Sequence, residues 1–290
     1  MPPGPGGEDH LHANPATLAD GPLAGKYLAS AQRGTPAGIK AAAPGIPAGI
    51  ARFTGGMRVD IWSDIVCPWC YIGKRRFERG LSEFGHRDEV EVVYHAFELD
   101  PSIPAGQGTP ILELLSAKYG LSREQARDAE ASVAAKAAAD GLAVNANRVM
   151  GNTFDAHRLV RLGRERGIQG RVLQGLYEAY FGEGRPVFEP AELVALAQAA
   201  GLDGEQARQV LAADTYAEAV RADEEQARAL GITGVPFAVL DGKYGVSGAQ
   251  PAQAFTEVLD RAWAERPAPE VTAPGAPAPG APGAGATARG

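Results

Sequence analysis

Apolar and polar residues alternate along "MRVDIWSDI", where Val59 and Ile61 stand two apart, and this predicts a strand opening at Met57. The period then changes. In "YIGKRRFERGLSEFG", Ile72, Phe77, Leu81 and Phe84 recur near helical spacing and Gly85 marks the stop. The β-branched and aromatic run "EVEVVYHAFEL" predicts a second strand. A strand, helix and strand in succession need a crossover, so the two strands are expected to be parallel. More than a hundred residues of helical pattern follow. Thr109 is the expected cap and Pro110 the expected first residue of one helix. Ser122 and Gln125 form a capping box for the next, which Gly141 ends. "PFAVLDGKYGVSG" predicts two short strands turning at Asp241–Gly242, and "PAQAFTEVLDRAWAE" a closing helix. The order β-α-β, helical block, β-β-α places the chain in the α/β class.

The flanks break this pattern. Residues 1–56 and the tail 267–290 are rich in Gly, Pro and Ala, without sustained apolar periodicity, and both are expected to be disordered. The competing reading of the head makes Met57 the true start. The formal net charge of -7 argues against a nucleic-acid partner, which needs clustered Lys and Arg. No apolar run reaches the roughly 18 residues of a membrane span, so no membrane partner is expected. The first twenty residues lack a basic segment followed by an apolar one, so the chain is expected in the cytoplasm.

That compartment bears on Cys67 and Cys70, the two cysteines of the chain. In a reducing compartment a close cysteine pair is more often catalytic or metal-binding than structural. A structural disulfide closing a four-residue loop would contribute only about 2 kcal/mol. Zinc wants four ligands; there is no second cysteine pair, and His10, His12, His86, His95 and His157 show no ligand spacing. Two buried cysteines that merely neighbour each other would leave the flanking strand and helix unexplained. A redox dithiol fits best. Cys67 falls at a helix N-terminus, where free N–H groups and the helix dipole favour a thiolate. Pro68 suits the first helical turn, and Cys70 follows one turn on as a buried resolving thiol. Trp69, between them, is expected to be exposed at the rim. Asp64 is read as a turn or cap residue. His157 is a candidate for the active-site rim, against the commoner role of a packed histidine. Pro236, at the start of a strand, reads on its own as a trans edge proline.

The segments "SDIVCPWCYIGKRRFE", "NTFDAHRLVRLGRERG" and "GITGVPFAVLDGKYGVSGAQ" resemble the DsbA family of the thioredoxin superfamily, and more narrowly its FrnE-like branch. The resemblance spans residues 57–265. It implies a thioredoxin-like domain over 57–108 and 232–266, interrupted by an all-helical insertion over 109–231. It also implies a cis bond at Pro236. The activity it implies is thiol–disulfide exchange, with Cys67 and Cys70 catalytic and with Pro68, Trp69, Val235 and Pro236 against the substrate. The implied substrate is a protein or small thiol or disulfide, glutathione included, with no cofactor and no metal. FrnE-like proteins with a second cysteine pair relay between pairs; this chain lacks that pair. The kappa-class glutathione transferases and 2-hydroxychromene-2-carboxylate isomerases share the fold but carry serine where Cys67 stands. A glutathione-dependent isomerase or transferase is therefore the alternative, and a non-catalytic chaperone a third reading.

Overall fold

The structure is a computed structural model; it describes residues 56–266 and the short strand Ile39–Ala41. Strand β2 (Met57–Ser63) is an inner strand of its sheet and is almost wholly buried. It pairs in parallel with β3 (Val90–Ala96) and antiparallel with β6 (Phe237–Leu240). The parallel pair is joined by helix α1 (Pro68–Glu83), the crossover that the sequence demands. β6 turns back into β7 (Tyr244–Ser247), with Asp241 at φ 48° and Gly242 at φ 66°. Two positive φ values in succession match a type I′ hairpin turn, as Asp–Gly predicts.

β1 (Ile39–Ala41) pairs antiparallel with β7 and completes the sheet order β1-β7-β6-β2-β3. This corrects the expectation that residues 1–56 are without order. Backbone groups on the outer side of β7 would otherwise be an open edge. The rest of that head, and the tail from residue 267, lie outside the described residues.

The long middle segment supplies α2 (Ile111–Tyr119), α3 (Arg123–Ala139), α4 (Phe154–Glu165) and α5 (Gln169–Tyr177). α5 runs on as a π-helical turn over Glu178–Glu183. α6 (Pro190–Ala199), α7 (Gly204–Ala212) and α8 (Ala217–Ala229) follow. The Ser122–Gln125 capping box is present with both of its hydrogen bonds. The segment is not purely helical: β4 (Gly108–Pro110) pairs with β5 (Val149–Gly151). Hence Thr109 is a strand residue and the helix begins at Ile111, with Pro110 as its cap. The ribbon packs around Phe188. A Cβ at Gly108 would lie 2.7 Å from its ring and one at Gly151 2.3 Å, so bare backbone is what fits.

The closing helix α9 (Ala252–Ala264) packs on α1, with Phe77 and Phe255 edge to face at 5.5 Å. On its other side α1 meets the insertion, where the Tyr71 ring stacks on Phe181 at 5.2 Å. The active-site helix is thus held between the sheet's own closing helix and the π-helical turn.

Candidate active site

Cys67 is the N-cap of α1, in extended conformation with φ -86° and ψ 112°, and Pro68 is the first helical residue. The Cys70 N–H donates to the Cys67 carbonyl at 3.0 Å, and the Cys67 N–H to the Asp64 carbonyl at 3.2 Å. Both thiols are free. Burial pushes the Cys70 thiol well above the ordinary thiol range, and the adjoining Cys67 thiol pushes it further. Cys70 is 1% exposed. It therefore has the environment of a thiol that stays protonated until it is called on. Cys67 is itself only 3% exposed. Its thiol lies against the Val235–Pro236 loop and donates to the Val235 carbonyl at 3.6 Å.

That loop is the second half of the site. The Val235–Pro236 peptide is cis. Pro236, Cys70, Lys74 and Tyr177 line one cavity of about 20 Å³, large enough for a single water. Gly73 lets α1 approach the proline, since a Cβ there would stand 2.9 Å from Pro236 Cγ. Residues far apart in sequence, Cys67, Cys70, Val235 and Pro236, are brought into one corner.

Two expected rim residues are not at the rim. Trp69 is 3% exposed, with the Lys136 ammonium of α3 5.5 Å from its ring centroid. The insertion covers it. His157 is 4% exposed and lies inside the first turn of α4. Its Nε2 is 3.4 Å from Oδ1 of Asp64, yet neither atom has a hydrogen-bond partner. Asp64 is likewise more than a turn residue. Its side chain is buried, and Oδ2 accepts the Leu99 N–H at 2.7 Å.

Residues not singled out in the sequence extend this interior. Glu98, just past β3, accepts from Asn152 and from Arg221, both at 3.1 Å. Arg221 also donates to Glu224 at 3.2 Å. Burial, together with the neighbouring Glu224, pushes the Glu98 carboxyl up to about 7. The Tyr177 hydroxyl reaches the Asp64 carbonyl at 3.4 Å, and burial raises it well above the ordinary phenol range.

A second buried histidine ties the insertion to the sheet. His95 Nε2 is 2.7 Å from Asp60 and Nδ1 is 2.7 Å from Asp223 of α8. Only the doubly protonated ring donates to both. Burial alone would lower this imidazole, but the hydrogen bonds to Asp223 and Asp60 outweigh it and hold it above its ordinary value. For Asp60 burial would raise the carboxyl, but His95 and Arg58 hold it below the usual range. Trp62 stacks on His95 at 4.6 Å and donates to the Asp223 carbonyl at 3.1 Å.

Known proteins bear on this site. The chain is 52% identical to a probable DsbA oxidoreductase from Streptomyces coelicolor of known structure, with TM-score 0.72, over 78% of this chain and 100% of that one. It is 26% identical to the uncharacterized protein YwbO of Bacillus subtilis, over 70% of this chain and 96% of that protein. A 2-hydroxychromene-2-carboxylate isomerase structure shares the fold at 16% identity and TM-score 0.50, over 71% of this chain and 94% of that one. The model of the DSBA-like thioredoxin domain matches residues 58–260. Together with the thioredoxin-like sheet and its helical insertion, that match settles the affiliation: the chain belongs to the DSBA-like thioredoxin domain family.

Proposed function

We propose that this protein is a thiol–disulfide oxidoreductase working through Cys67 and Cys70. One observation carries the reading: a thiol at a helix N-terminus faces the Val235 carbonyl at 3.6 Å, with a second, buried thiol one turn behind it. Cys67 stands at a helix N-terminus, the position that redox-active thiols take in such pairs. Burial keeps the second sulfur protonated until it resolves the mixed disulfide. In the reductive direction Cys67 attacks a substrate disulfide and Cys70 displaces the substrate. In the oxidative direction a substrate thiolate opens the Cys67–Cys70 bond and a second substrate thiol completes the exchange. Pro68 and Trp69 shape the nucleophile's surroundings, and the Val235–Pro236 loop receives the substrate chain.

Two thiols in one turn support exchange over the glutathione-dependent isomerase or transferase reaction, for which a resolving cysteine has no use. Within the family we read the chain as FrnE-like, on the three segments quoted above, with a protein or small thiol as partner and the cytoplasm as compartment. Among the described residues no helix is long and apolar enough to cross a membrane.

Cys67→Ser is expected to abolish both insulin reduction and dithiol-peptide oxidation. Cys70→Ser should accumulate a mixed disulfide on Cys67, seen as a mass adduct that dithiothreitol removes. Exchange at wild-type rate in the Cys67→Ser protein would overturn the reading.

A further inference from the structure

Beyond the two sulfurs, the chain that leaves β3 builds a rim. β2 and β3 run in parallel with Ser63 opposite Ala96, so the segments that follow them leave the sheet at the same edge. In open sheets ligands bind outside the carboxyl ends of parallel strands. One of these segments carries Cys67 and the other Leu99. Two hydrogen bonds join them. The Leu99 N–H donates to Oδ2 of Asp64 at 2.7 Å, and the Asp64 carbonyl accepts the Cys67 N–H at 3.2 Å. The Phe97 N–H donates to the Ser63 carbonyl at 3.2 Å, which carries the ladder one step past the strand.

Among the described residues Leu99 is the one large apolar side chain that stands exposed, at 38%. A lone exposed leucine is ordinary on a protein surface. This one differs in how it is held. Glu98, before it, is buried and accepts from Asn152 and from Arg221, both at 3.1 Å. Asp100, after it, accepts from Ser102 at 2.5 Å and from Lys118 of α2 at 2.9 Å. Asn152 also donates to the Ile103 carbonyl at 3.0 Å and so fastens the loop further on. Both neighbours of Leu99 are tied down, and so is its own N–H, while its side chain stays in water. Apolar area kept in water forgoes the gain of burying it. A loop pinned on both sides of such a residue presents it outward in one place.

We propose that Leu99 is a specificity-determining residue, which takes up the apolar side chain next to the reacting cysteine of the substrate. The proposal rests on the exchange reading above and adds to it a preference for what neighbours the substrate sulfur. The Val235–Pro236 loop borders Cys67, whose thiol is 3.6 Å from the Val235 carbonyl. Leu99 is joined to the same residue through Asp64. A substrate chain bonded to Cys67 runs along the Val235–Pro236 loop, and the side chain beside its cysteine covers Leu99. The two apolar surfaces then leave water together. Glutathione, with γ-glutamyl and glycyl groups on either side of its cysteine, has no apolar side chain to place there.

The test uses two peptides, with leucine or serine on both sides of a single cysteine, each joined in a mixed disulfide to 2-nitro-5-thiobenzoate. The Cys67 sulfur attacks the peptide sulfur, and the bond to the chromophore breaks. The electron pair of that bond leaves on the nitrothiobenzoate thiolate, whose release is followed by stopped flow. Each rate constant is divided by that of reduced glutathione attacking the same peptide, which removes the peptides' own difference in reactivity. The ratio of leucine to serine peptide is expected to be roughly fivefold in the wild type and about one in Leu99→Ser. Leu99→Met should keep most of the preference, because methionine offers a similar apolar surface. A ratio taken within each protein is unmoved by a general change in thiol reactivity. A wild-type ratio near one, or a ratio that Leu99→Ser leaves as it was, would overturn the role of Leu99 and leave the exchange reading standing. A wild-type protein that releases no chromophore from either peptide would overturn the exchange reading, and the role of Leu99 with it.

Discussion

His95 has a carboxylate on each ring nitrogen at 2.7 Å, whereas His157 faces a single carboxylate at 3.4 Å without a hydrogen bond. Both rings are buried, and both sit between the sheet and the helical insertion. His95 is the closed case. Asp60 of β2, His95 of β3 and Asp223 of α8 satisfy one another, and Trp62 covers the ring. A network so completed fixes the position of α8, from which the chain runs on to Val235 and Pro236. His157 is the open case, facing Asp64, whose carbonyl accepts the Cys67 N–H, with capacity to spare. The contrast teaches that burial of a histidine says little about its task; the count of its partners says more.

The largest effect that sharpens the contrast is on stability. His95→Ala would leave the buried Asp60 and the half-buried Asp223 without their shared cation, and breaking such an arrangement costs about 3–5 kcal/mol. For a domain of this size Tm should fall by roughly 6–20 °C. His157→Phe removes an orphaned polar atom and should change stability by less than about 1 kcal/mol. Denaturant unfolding of the two variants side by side checks this; equal losses would erase the distinction.

The pH dependence comes next. His95 is raised, so its contribution is complete below the unfolded value near 6.5 and is lost as pH climbs through its folded value. Asp60 is lowered, so its contribution is complete above 3.8 and is lost as pH falls through its folded value. The wild type should therefore lose stability on both flanks, and His95→Gln should lose less on the alkaline side. Glu98 works the other way. A carboxyl held at about 7 in the fold and at 4.5 when unfolded takes up protons on folding, so it costs stability as pH rises from 4.5 to 7. Glu98→Gln should recover on the order of 1 kcal/mol at pH 7, after allowance for solvent screening, and nothing at pH 4. Thermal unfolding across that range measures it.

The smallest expected effect is at Gly73. A methyl group there meets Pro236 Cγ at 2.9 Å and the Ala249 backbone at 3.5 Å. Gly73→Ala should cost about 1 kcal/mol through overpacking and slow exchange by shifting the loop. An unchanged rate would mean that the corner yields freely.

The parts of this molecule that follow local rules were legible in its sequence. The Cys67–Cys70 spacing, Pro68 at the first helical position, the Ser122 capping box and the Asp241–Gly242 turn each rest on a few consecutive residues, and each stands where expected. The parts that rest on distant contacts were not. Nothing local in "RADEEQARA" shows that Asp223 and Glu224 turn inward, where β3 offers His95 and the segment after it offers Glu98. Trp69 reads as a rim residue because nothing local shows that α3 brings Lys136 across it. The cis form of Pro236 is invisible to residue statistics, and only the family resemblance pointed to it.

Exchange by this protein requires Cys67 and Cys70 to form a reversible couple. The most direct measurement equilibrates the protein across glutathione redox buffers, quenches with a thiol-alkylating reagent and weighs the products. One two-electron transition is expected between free dithiol and an intramolecular Cys67–Cys70 disulfide, with a potential between roughly -270 and -120 mV. A protein that stays doubly alkylated throughout, or that yields only glutathione adducts, would contradict it.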